Sequence, residues 1–541
     1  MIRASLLSCL LLALAACATH PGALDHVRFA SDRAFVRAAT QAGEVRGVQG
    51  GGVRAFLGVP YAAPPVGERR WRGPRPVPAW AGVRDATRLR SDCIQAIGRD
   101  AVLGGGGGVV VGSEDCLFVN VYAPVPAQGR DDKTVEALPV MVWLHGGAFT
   151  IGAGANYDPS RLAAEHGRVV VTVNFRLGAL GWLAHPAFAG EGEGLGGNWG
   201  LMDQQAALRW VQANIADFGG DPGDVTLFGE SSGAWSACYL MASPGSEGLF
   251  HRVILQSGPC LEPNSLNALS AEAPKGTIFS QALGCDGPDP VACLRDVPAW
   301  RIARVPSPRS GINGPGSWGP VHTDTVVPVS PPEAFASGRF VRVPVIVGTN
   351  ADEGRLFATE VRDLDRYEKQ TVWMYGEAGL RALERYPVGG DGPGVAIAAS
   401  FTDSRFACPS DALRRVLSVH VPVHGYEFAD PDPVFVLPDW IMGLEMGAYH
   451  ASELASVFGT SWLFADTGRW TPEQRALSER MMRLWTGFGH DPGFASDWPR
   501  VSEGVGSVLV FDPAGDRIDD GFFDRHQCGF WGGTALGPVA P

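Results

Sequence analysis

Continuous hydrophobic runs alternate with amphipathic segments along the middle of the chain. The stretches "LPVMVWLH" (138–145) and "RVVVTVNFR" (168–176) are apolar and rich in β-branched residues. Such runs are typical of strands that are buried on both faces of a sheet. The stretch 201–219 then places Leu208, Val211 and Ile215 on one helical face and ends at a glycine pair. This pattern predicts a helix that covers the sheet.

The same alternation continues to the C-terminus, interrupted by long proline-rich insertions. It predicts a helix over Ser232–Met241, a late helix over 472–489, and further strands at "VTLFGE" (225–230), "HRVILQSG" (251–258), "VPVIVGTN" (343–350), "HVPVHGYEFA" (420–429) and "SVLVFD" (507–512), the last strand of the chain. Strands that alternate with helices favour an α/β doubly wound fold, with a mostly parallel sheet flanked by helices.

The composition fits a globular, core-forming chain and argues against one class of partner. Of 541 residues, 45% are hydrophobic and 19% are charged, which is typical of a chain that builds a core. The net charge is −13, and no run of lysine or arginine is present. A nucleic-acid partner is therefore not expected. Because no linker or internal repeat interrupts the pattern, we expect a single domain over residues 41–541.

The N-terminus has the features of an export signal. A short basic start precedes the apolar run "LLSCLLLALAA", which is too short to span a bilayer, so residues 1–17 are predicted to be a signal peptide. The end of this run resembles a bacterial lipobox with Cys17 as the lipidated residue; ordinary cleavage after Ala18 is the alternative. Both predict export, to the periplasm, to the outer membrane as a lipid-anchored protein, or to the medium. Residues 18–40 are interpreted as a tether.

A serine lies where the strand 225–230 is predicted to turn into a helix, in the sequence Gly229-Glu230-Ser231-Ser232-Gly233. A serine hydroxyl is a weak nucleophile unless a base takes its proton. A tight strand-to-helix turn exposes the hydroxyl and directs the first amides of the helix toward the reaction centre, provided that small residues lie two positions away on each side. Ser231 is therefore the candidate nucleophile, with an ordinary Gly/Ser turn as the alternative.

A second candidate element follows an earlier strand, in "WLHGGAF" (143–149). Small residues after a strand end leave backbone N–H groups free to bind an oxygen that becomes negative during acyl transfer. We expect the donors of this oxyanion hole to be the amides of Gly147, Ala148 and Ser232. A purely structural glycine turn is the alternative.

These motifs, with several others, resemble those of the type-B carboxylesterases, which include bacterial carboxylesterases and cholinesterases. The matching stretches are "FLGVPYAAPPVGERRW", "SEDCLFVNVYAP", "VMVWLHGGAF", "VNFRLGALGWL", "GNWGLMDQQAALRWVQANIADFGGDP", "VTLFGESSGAW" and "HRVILQSG". They cover residues 45–260 densely, and the remainder more sparsely. The resemblance implies the α/β-hydrolase fold, with long insertions that form a gorge.

The resemblance also implies the two partners of Ser231. The family's acid lies in a "DEG" loop, here "VPVIVGTNADEGRLF", which indicates Glu353; its neighbour Asp352 is an alternative that chemistry alone does not exclude. The family's histidine lies in "GAYHASELASVFG" and is His450. The order serine, acid, histidine is that of α/β-hydrolases. Ser231 would attack an ester carbonyl, His450 would move the proton, and Glu353 would orient His450.

The cysteines are candidates for disulfides in an exported chain. The resemblance implies pairs between Cys93 and Cys116, Cys285 and Cys293, and Cys408 and Cys528. It leaves open whether Cys238 and Cys260 pair or remain buried thiols. Cysteine and histidine do not cluster at metal-ligand spacing, so no metal site is predicted, and the triad requires no cofactor.

The resemblance therefore implies a serine hydrolase that acts on small to medium carboxylic esters. Amide or carbamate hydrolysis and acyl transfer with the same triad are alternatives, and a non-catalytic binding protein of the same fold is a third. The loop 94–115 contains no aromatic residue, so a cation–π site for a choline ester is not expected there. The sequence does not predict the oligomeric state.

Overall fold

A computed structural model describes residues 33–98, 106–126, 137–192, 194–261, 268–308, 310–311, 314–315, 318–437, 439–491, 498, 500–501 and 507–532. The predicted signal peptide, Cys17 and residues 18–32 of the predicted tether lie outside this part of the chain. The chain divides into two compact units, residues 1–253 with 266–330, and residues 254–265 with 331–541.

The described part of the first unit contains a mixed sheet, two two-stranded sheets and helices. Its strands are β1 (Ala34–Thr40), β2 (Gly43–Gly50), β3 (Val53–Pro60), β4 (Val83–Asp85), β5 (Gln95–Ile97), β6 (Val109–Val111), β7 (Phe118–Pro124), β8 (Leu138–Leu144), β9 (Val169–Val173), β10 (Gly220–Glu230), the start of β11 (Arg252–Gln256), β12 (Ser310–Gly311) and β13 (Gly314–Pro315). Its α-helices are α1 (Ser160–His166), α2 (Gly178–Trp182), α3 (Trp199–Asn214), α4 (Ser232–Met241), α5 (Leu269–Ala282), α6 (Pro290–Asp296) and α7 (Ala299–Ile302). Strands β5 and β6 form one two-stranded sheet, and β12 and β13 form the other.

Within this unit the strands lie in the order β1-β2-β3-β7-β9-β8-β10. The pairs from β1 to β9 are antiparallel, whereas β9, β8 and β10 are mutually parallel. The predicted alternation of buried strands and helices is confirmed for β8, β9 and β10. The antiparallel strands at the N-terminus were not predicted, and β1 includes the end of the expected tether. That part of the tether interpretation is wrong because Ala34–Thr40 pairs with β2 along its length.

The parallel register brings two candidate loops together. Leu144 at the end of β8 lies opposite Gly229 at the end of β10. The carboxyl ends of neighbouring parallel strands meet at one edge of a sheet, where α/β proteins bind ligands. The loop after β8 and the turn after β10 therefore start side by side.

One buried and one partly buried ion pair hold the motifs of the first unit together. Arg176 donates to both carboxylate oxygens of Asp203, each at 2.7 Å, and both side chains are buried. Arg70 donates to both oxygens of Glu114, at 2.7 and 2.6 Å. Paired charges of this geometry are strongly hydrogen-bonded, so losing one partner leaves a buried charge uncompensated. These motif residues therefore have structural roles.

The second unit contains the remaining strands and helices. Its strands are the end of β11, β14 (Val345–Asn350), β15 (Val423–Phe428), β16 (Val508–Phe511) and β17 (Arg517–Asp519). Its α-helices are α8 (Pro331–Ser337), α9 (Leu364–Tyr375), α10 (Glu377–Arg385), α11 (Pro393–Thr402), α12 (Cys408–Ser418), α13 (Asp439–Met442), α14 (Leu454–Phe458), α15 (Pro472–Gly487), α16 (Phe522–Arg525) and α17 (Cys528–Gly532). A π-helical turn, Asp403–Ala407, joins α11 to α12.

The sheet of the second unit continues the α/β pattern. Strands β14, β15 and β16 are parallel, and β17 pairs antiparallel with β16. The stretch 507–512 is thus a strand as predicted, but it is followed by one more, because the exposed turn at Gly515 folds the chain back. All residues of β14 and β15 are buried, including the polar or charged residues Thr349, Asn350, His424 and Glu427, which have hydrogen-bond partners inside the unit.

The disulfides fit the implied pairing. Bonds join Cys93 to Cys116, Cys285 to Cys293, and Cys408 to Cys528. The two cysteines left open, Cys238 and Cys260, are also disulfide-bonded and are not thiols. Disulfides are typical of proteins in oxidising compartments. Among the described helices, none has the length and apolar character needed to cross a membrane.

A buried charge cluster near the C-terminus stabilises the second unit. His526 lies between two carboxylates, with Nδ1 at 2.5 Å from Asp403 Oδ1 and Nε2 at 2.7 Å from Glu427 Oε1. Arg525 also donates to Glu427 and to Asp519. Burial alone would lower the pKa of His526, but the bonds to the two carboxylates outweigh it and raise the pKa to about 9. The imidazole is therefore positively charged at neutral pH.

This cluster predicts that the free energy of unfolding decreases in mild alkali. The pKa of His526 is about 9 in the folded chain and about 6.5 in the unfolded chain, so its stabilisation is complete below the lower value. As the pH rises through 9, up to about 3 kcal/mol is lost. Urea unfolding at several pH values measures this loss. In His526→Gln this part of the pH dependence should disappear. If the free energy of unfolding changes with pH as steeply as in wild type, the loss does not come from deprotonation of His526.

Candidate active site

Ser231 lies at the junction between β10 and α4, in a strained backbone conformation. Its φ is 53° and its ψ is −125°, in a region that residues with a side chain rarely occupy. The helix begins at the next residue, so the turn is as tight as predicted. A strained serine between a strand and a helix is the arrangement of a nucleophile elbow.

The two glycines of the elbow are required by close backbone contacts. A Cβ on Gly229 would lie 2.6 Å from the carbonyl carbon of Gly233 and 2.8 Å from the carbonyl oxygen of Leu144. A Cβ on Gly233 would collide with the same Leu144 carbonyl. These neighbours are backbone atoms, which cannot rotate away. The elbow therefore depends on glycine at both positions.

Replacing Gly233 by alanine is expected to destabilise the first unit and to displace Ser231. Overpacking against fixed backbone costs about 3 kcal/mol, so the midpoint of urea unfolding should fall clearly. Gly287→Ala is the matched control, because Gly287 is exposed and its added methyl group would meet no atom within 4 Å. Equal unfolding midpoints for the two variants would show that the elbow tolerates a side chain.

The loop after β8 lies against this elbow and offers backbone donors. A Cβ on Gly146 would lie 3.1 Å from Ser231 Cβ, which shows how closely the loop approaches the serine. Gly147 and Ala148 have φ values of 107° and 56°. Within the described part of the first unit, the N–H groups of Gly147, Ala148 and Ser232 have no hydrogen-bond acceptor. The three predicted donors are therefore available to bind an oxygen atom.

His145 fixes the conformation of this loop, a role that the sequence did not reveal. Its ring is fully buried and stacks on Phe175 with a centroid separation of 4.3 Å. Burial lowers the pKa of His145 to about 4, so the ring is neutral. The neutral ring can donate only one proton, and the Nδ1 atom lies 2.8 Å from the carbonyl oxygen of Gly146. We infer that this bond orients the peptide that precedes Gly147.

In the second unit, Glu353 and His450 form a hydrogen-bonded pair. His450 Nδ1 lies 2.6 Å from Glu353 Oε2, and the carboxylate is completely buried. The other oxygen of Glu353 accepts bonds from Thr349 Oγ1 and from the backbone N–H of Asn350, both at 2.8 Å. Both donors belong to the end of β14, so the strand holds the carboxylate in one orientation. The bond at Nδ1 leaves Nε2 as the proton acceptor of the ring.

Asp352 does not take this position. Its Oδ2 accepts a bond from the backbone N–H of Ala448 at 3.1 Å, and its Oδ1 pairs with Arg355 at 2.8 Å. The structure thus favours Glu353 over Asp352 as the partner of His450. Asp352 instead ties the loop of the acid to the segment that carries the histidine.

A second buried carboxyl group, that of Glu453, lies near Glu353 and His450 and was not predicted. Its two oxygens accept bonds from Gln256 at 3.0 Å and from the side chain of Asn350 at 2.7 Å. Burial, together with the charge of Glu353, raises the pKa of Glu453 to about 7. Nothing in the local sequence distinguishes this glutamate from others, because its environment comes from β11 and β14.

Two phenylalanine rings pack against the imidazole of His450, and a third packs against one of them. The rings of Phe406 and Phe357 lie 4.9 and 5.2 Å from the imidazole, centroid to centroid. Phe401 contacts Phe357 at 5.1 Å, and Phe357 is 40% exposed. The imidazole is therefore bound at Nδ1 and flanked by apolar rings, which restricts its orientation.

The fold and these sites define a family. The carboxylesterase family model matches residues 34–383 and 393–531, and the chain belongs to this family. It is 37% identical over 503 residues to the fumonisin B1 esterase of Sphingopyxis macrogoltabida, which covers 89% of the chain and 87% of that relative. It is 34% identical to the para-nitrobenzyl esterase of Bacillus subtilis (strain 168), covering 87% of the chain and 94% of that protein.

The solved structures give the same result. A PNB esterase structure matches 91% of the chain and 99% of its own length, with a TM-score of 0.74 and 32% sequence identity. The expected α/β-hydrolase fold is therefore confirmed. The chain is an esterase-family enzyme, and its substrates are small-molecule esters.

Proposed function

We propose that the protein hydrolyses small to medium carboxylic esters with the triad Ser231, His450 and Glu353, through an acyl-enzyme intermediate. The hydrogen bond between His450 Nδ1 and the buried Glu353 is the main support, because it fixes the tautomer that a general base needs. The strained elbow at Ser231 is the second support. Membership of the carboxylesterase family agrees with both.

In the proposed reaction, His450 Nε2 removes the proton of Ser231 as Oγ attacks the ester carbonyl. The negative charge that develops on the carbonyl oxygen is bound by the amides of Gly147, Ala148 and Ser232. His450 then gives its proton to the departing alcohol, and the bond between the carbonyl carbon and the alcohol oxygen breaks. Water attacks the acyl-enzyme with His450 again as the base. Glu353 stabilises the positive imidazole in each half-reaction.

Hydrolysis of a matched ester and amide series tests the proposed reaction. We expect purified mature chain to hydrolyse p-nitrophenyl esters from acetate to decanoate, with a maximum at one chain length. The corresponding p-nitroanilides should react far more slowly, because the anilide nitrogen is a poorer leaving group than p-nitrophenolate and must be protonated as the C–N bond breaks. Faster cleavage of the anilides would favour the amidase alternative. A folded chain that hydrolyses no ester would favour a binding protein.

We also propose that the chain is exported as a lipid-anchored or secreted protein with one catalytic domain. The proposed domain begins near residue 34, where both β1 and the family match begin. The disulfide-bonded cysteines agree with an oxidising compartment. Mass spectrometry of the mature N-terminus tests the anchor: a diacylglyceryl group on Cys17 supports it, and a free N-terminus at a later residue contradicts it.

A further inference from the structure

The π-helical turn Asp403–Ala407 interrupts an otherwise continuous helical segment of the second unit. It follows α11 without a break and leads directly into α12. Such turns widen the helix by one residue, are uncommon, and often occur at functional sites. The extra residue changes the direction in which the side chains of the turn point. The turn contacts His450 through Phe406 and His526 through Asp403.

One side of this segment supports both His450 and Glu353. The ring of Phe406 contacts the imidazole of His450 at 4.9 Å. Thr402 Oγ1, at the end of α11, accepts a hydrogen bond from the backbone N–H of Gly354 at 2.9 Å. A Cβ on Gly354 would collide with the carbonyl oxygen of Ala398 in the same helix, so the two backbones are in close contact. The segment thus fixes the residue after Glu353 and one face of His450.

The other side of the segment is bound to the C-terminal residues Phe522–Gly532. Asp403 accepts hydrogen bonds from His526 at 2.5 Å and from Tyr386 at 2.7 Å. Cys408, directly after the turn, forms the disulfide with Cys528. The first residue of the turn and the residue directly after it are therefore tied to the C-terminal residues, while Phe406 between them contacts the imidazole.

We propose that His526 is a positioning residue for His450: it holds Asp403 and thereby the π-helical turn, so that Phe406 restrains the imidazole ring. This inference rests on the proposed function, because it assigns His450 as the general base. His526 does not touch His450, and it acts only through the turn.

The physical reason lies in the contacts that orient the imidazole. Its Nδ1 atom is hydrogen-bonded to Glu353, and the rings of Phe357 and Phe406, which pack against it, oppose rocking of the imidazole about that bond. A catalytic group displaced by about 1 Å loses up to about 10²-fold in rate. The charged groups around His526 are Asp403, Glu427, Arg525, Asp519 and Arg414, and Tyr386 shares Asp403 with it. Of these, the carboxylates of Asp403 and Glu427 raise the pKa of His526, so the protonated ring donates to both at neutral pH.

A double-mutant cycle between His526→Gln and Phe406→Ala tests this inference. The readout is kcat for p-nitrophenyl acetate, together with KM and the midpoint of urea unfolding. Each single variant should lower kcat about 10-fold. If His526 acts through Phe406, the double variant should lose no more kcat than Phe406→Ala alone. Once the Phe406 ring is absent, removing His526 has no further effect on His450.

The matched control is His424→Gln. His424 is also a buried histidine of the second unit, and its Nδ1 atom lies 2.9 Å from the backbone carbonyl of Trp498, which is not a residue of the turn. This variant should lower the unfolding midpoint while kcat stays within twofold of wild type. If His526→Gln behaves in the same way, its role is structural only and the inference is overturned. Losses that multiply in the double variant would overturn it as well.

Two further variants keep the test decisive. If His526→Gln does not fold, Asp403→Asn replaces it in the same cycle, because the amide preserves the shape of the side chain and removes its charge. Wild-type hydrolysis that disappears in Ser231→Ala establishes the proposed function on its own. A failed cycle in an active, serine-dependent enzyme would then reject only the positioning role of His526.

Discussion

Replacing Ser231 by alanine is expected to lower kcat for ester hydrolysis by about 10⁴- to 10⁶-fold. Alanine removes the hydroxyl oxygen that forms the acyl-enzyme, while the amides of Gly147, Ala148 and Ser232 remain. The residual rate should therefore reflect only binding and oxyanion stabilisation. Stopped assays with p-nitrophenyl butyrate over hours measure such slow turnover, and the unfolding midpoint should stay near that of wild type.

Ser232→Ala is the matched control for this prediction. It removes the same functional group one residue further along, at a position where the proposed contribution comes from the backbone N–H. Its kcat should stay within about tenfold of wild type, because the donor is retained. If Ser232→Ala is the inactive variant and Ser231→Ala is active, the role of nucleophile has been assigned to the wrong serine.

The second large effect is expected for Glu353→Gln, which should lower kcat by about 10³- to 10⁴-fold. The amide has nearly the same shape, and its oxygen can still accept from Thr349 and Asn350. Its NH₂ group would then face His450 Nδ1 and would favour the tautomer that carries the proton on Nε2. An imidazole in that tautomer cannot accept the proton of Ser231. Steady-state kcat for p-nitrophenyl acetate from pH 6 to 9 measures the loss.

Asp352→Asn is the control for this second prediction, since it is the same change one residue earlier. The structure gives Asp352 the backbone N–H of Ala448 and the guanidinium of Arg355 as partners. Its replacement should therefore lower the free energy of unfolding. The loss of kcat should be smaller than the loss in Glu353→Gln. A loss of kcat in Asp352→Asn that equals the loss in Glu353→Gln would mean that both acids contribute to the orientation of His450.

Much of this fold could be predicted from local patterns. The runs 138–145 and 225–230 become β8 and the end of β10, and the helix predicted over Ser232–Met241 has those bounds in the structure. Buried parallel strands are uniformly apolar, so they stand out in a sequence. The exposed N-terminal strand β1 does not, because its burial alternates irregularly and only pairing with β2 defines it.

The candidate site was predicted only in part, for a similar physical reason. The strand-to-helix motif predicted Ser231, and the family resemblance implied Glu353 and His450, because each of the three lies in a short characteristic stretch. The supporting residues His145, Glu453, Phe406 and His526 gain their roles from partners that are distant in sequence: Glu453 is 103 residues from Asn350, and His526 is 123 residues from Asp403. Such partners are set by the packing of elements, which a single sequence does not display.

The central claim is that Ser231 is an activated nucleophile. The most direct test is to incubate the purified mature chain with a fluorophosphonate, digest it, and identify the modified residue by mass spectrometry. We predict one phosphonylated residue, Ser231, formed at a rate that falls about 10³-fold or more in His450→Ala because the general base is lost. Modification of another serine, or no modification of a folded chain that hydrolyses esters, would contradict this account.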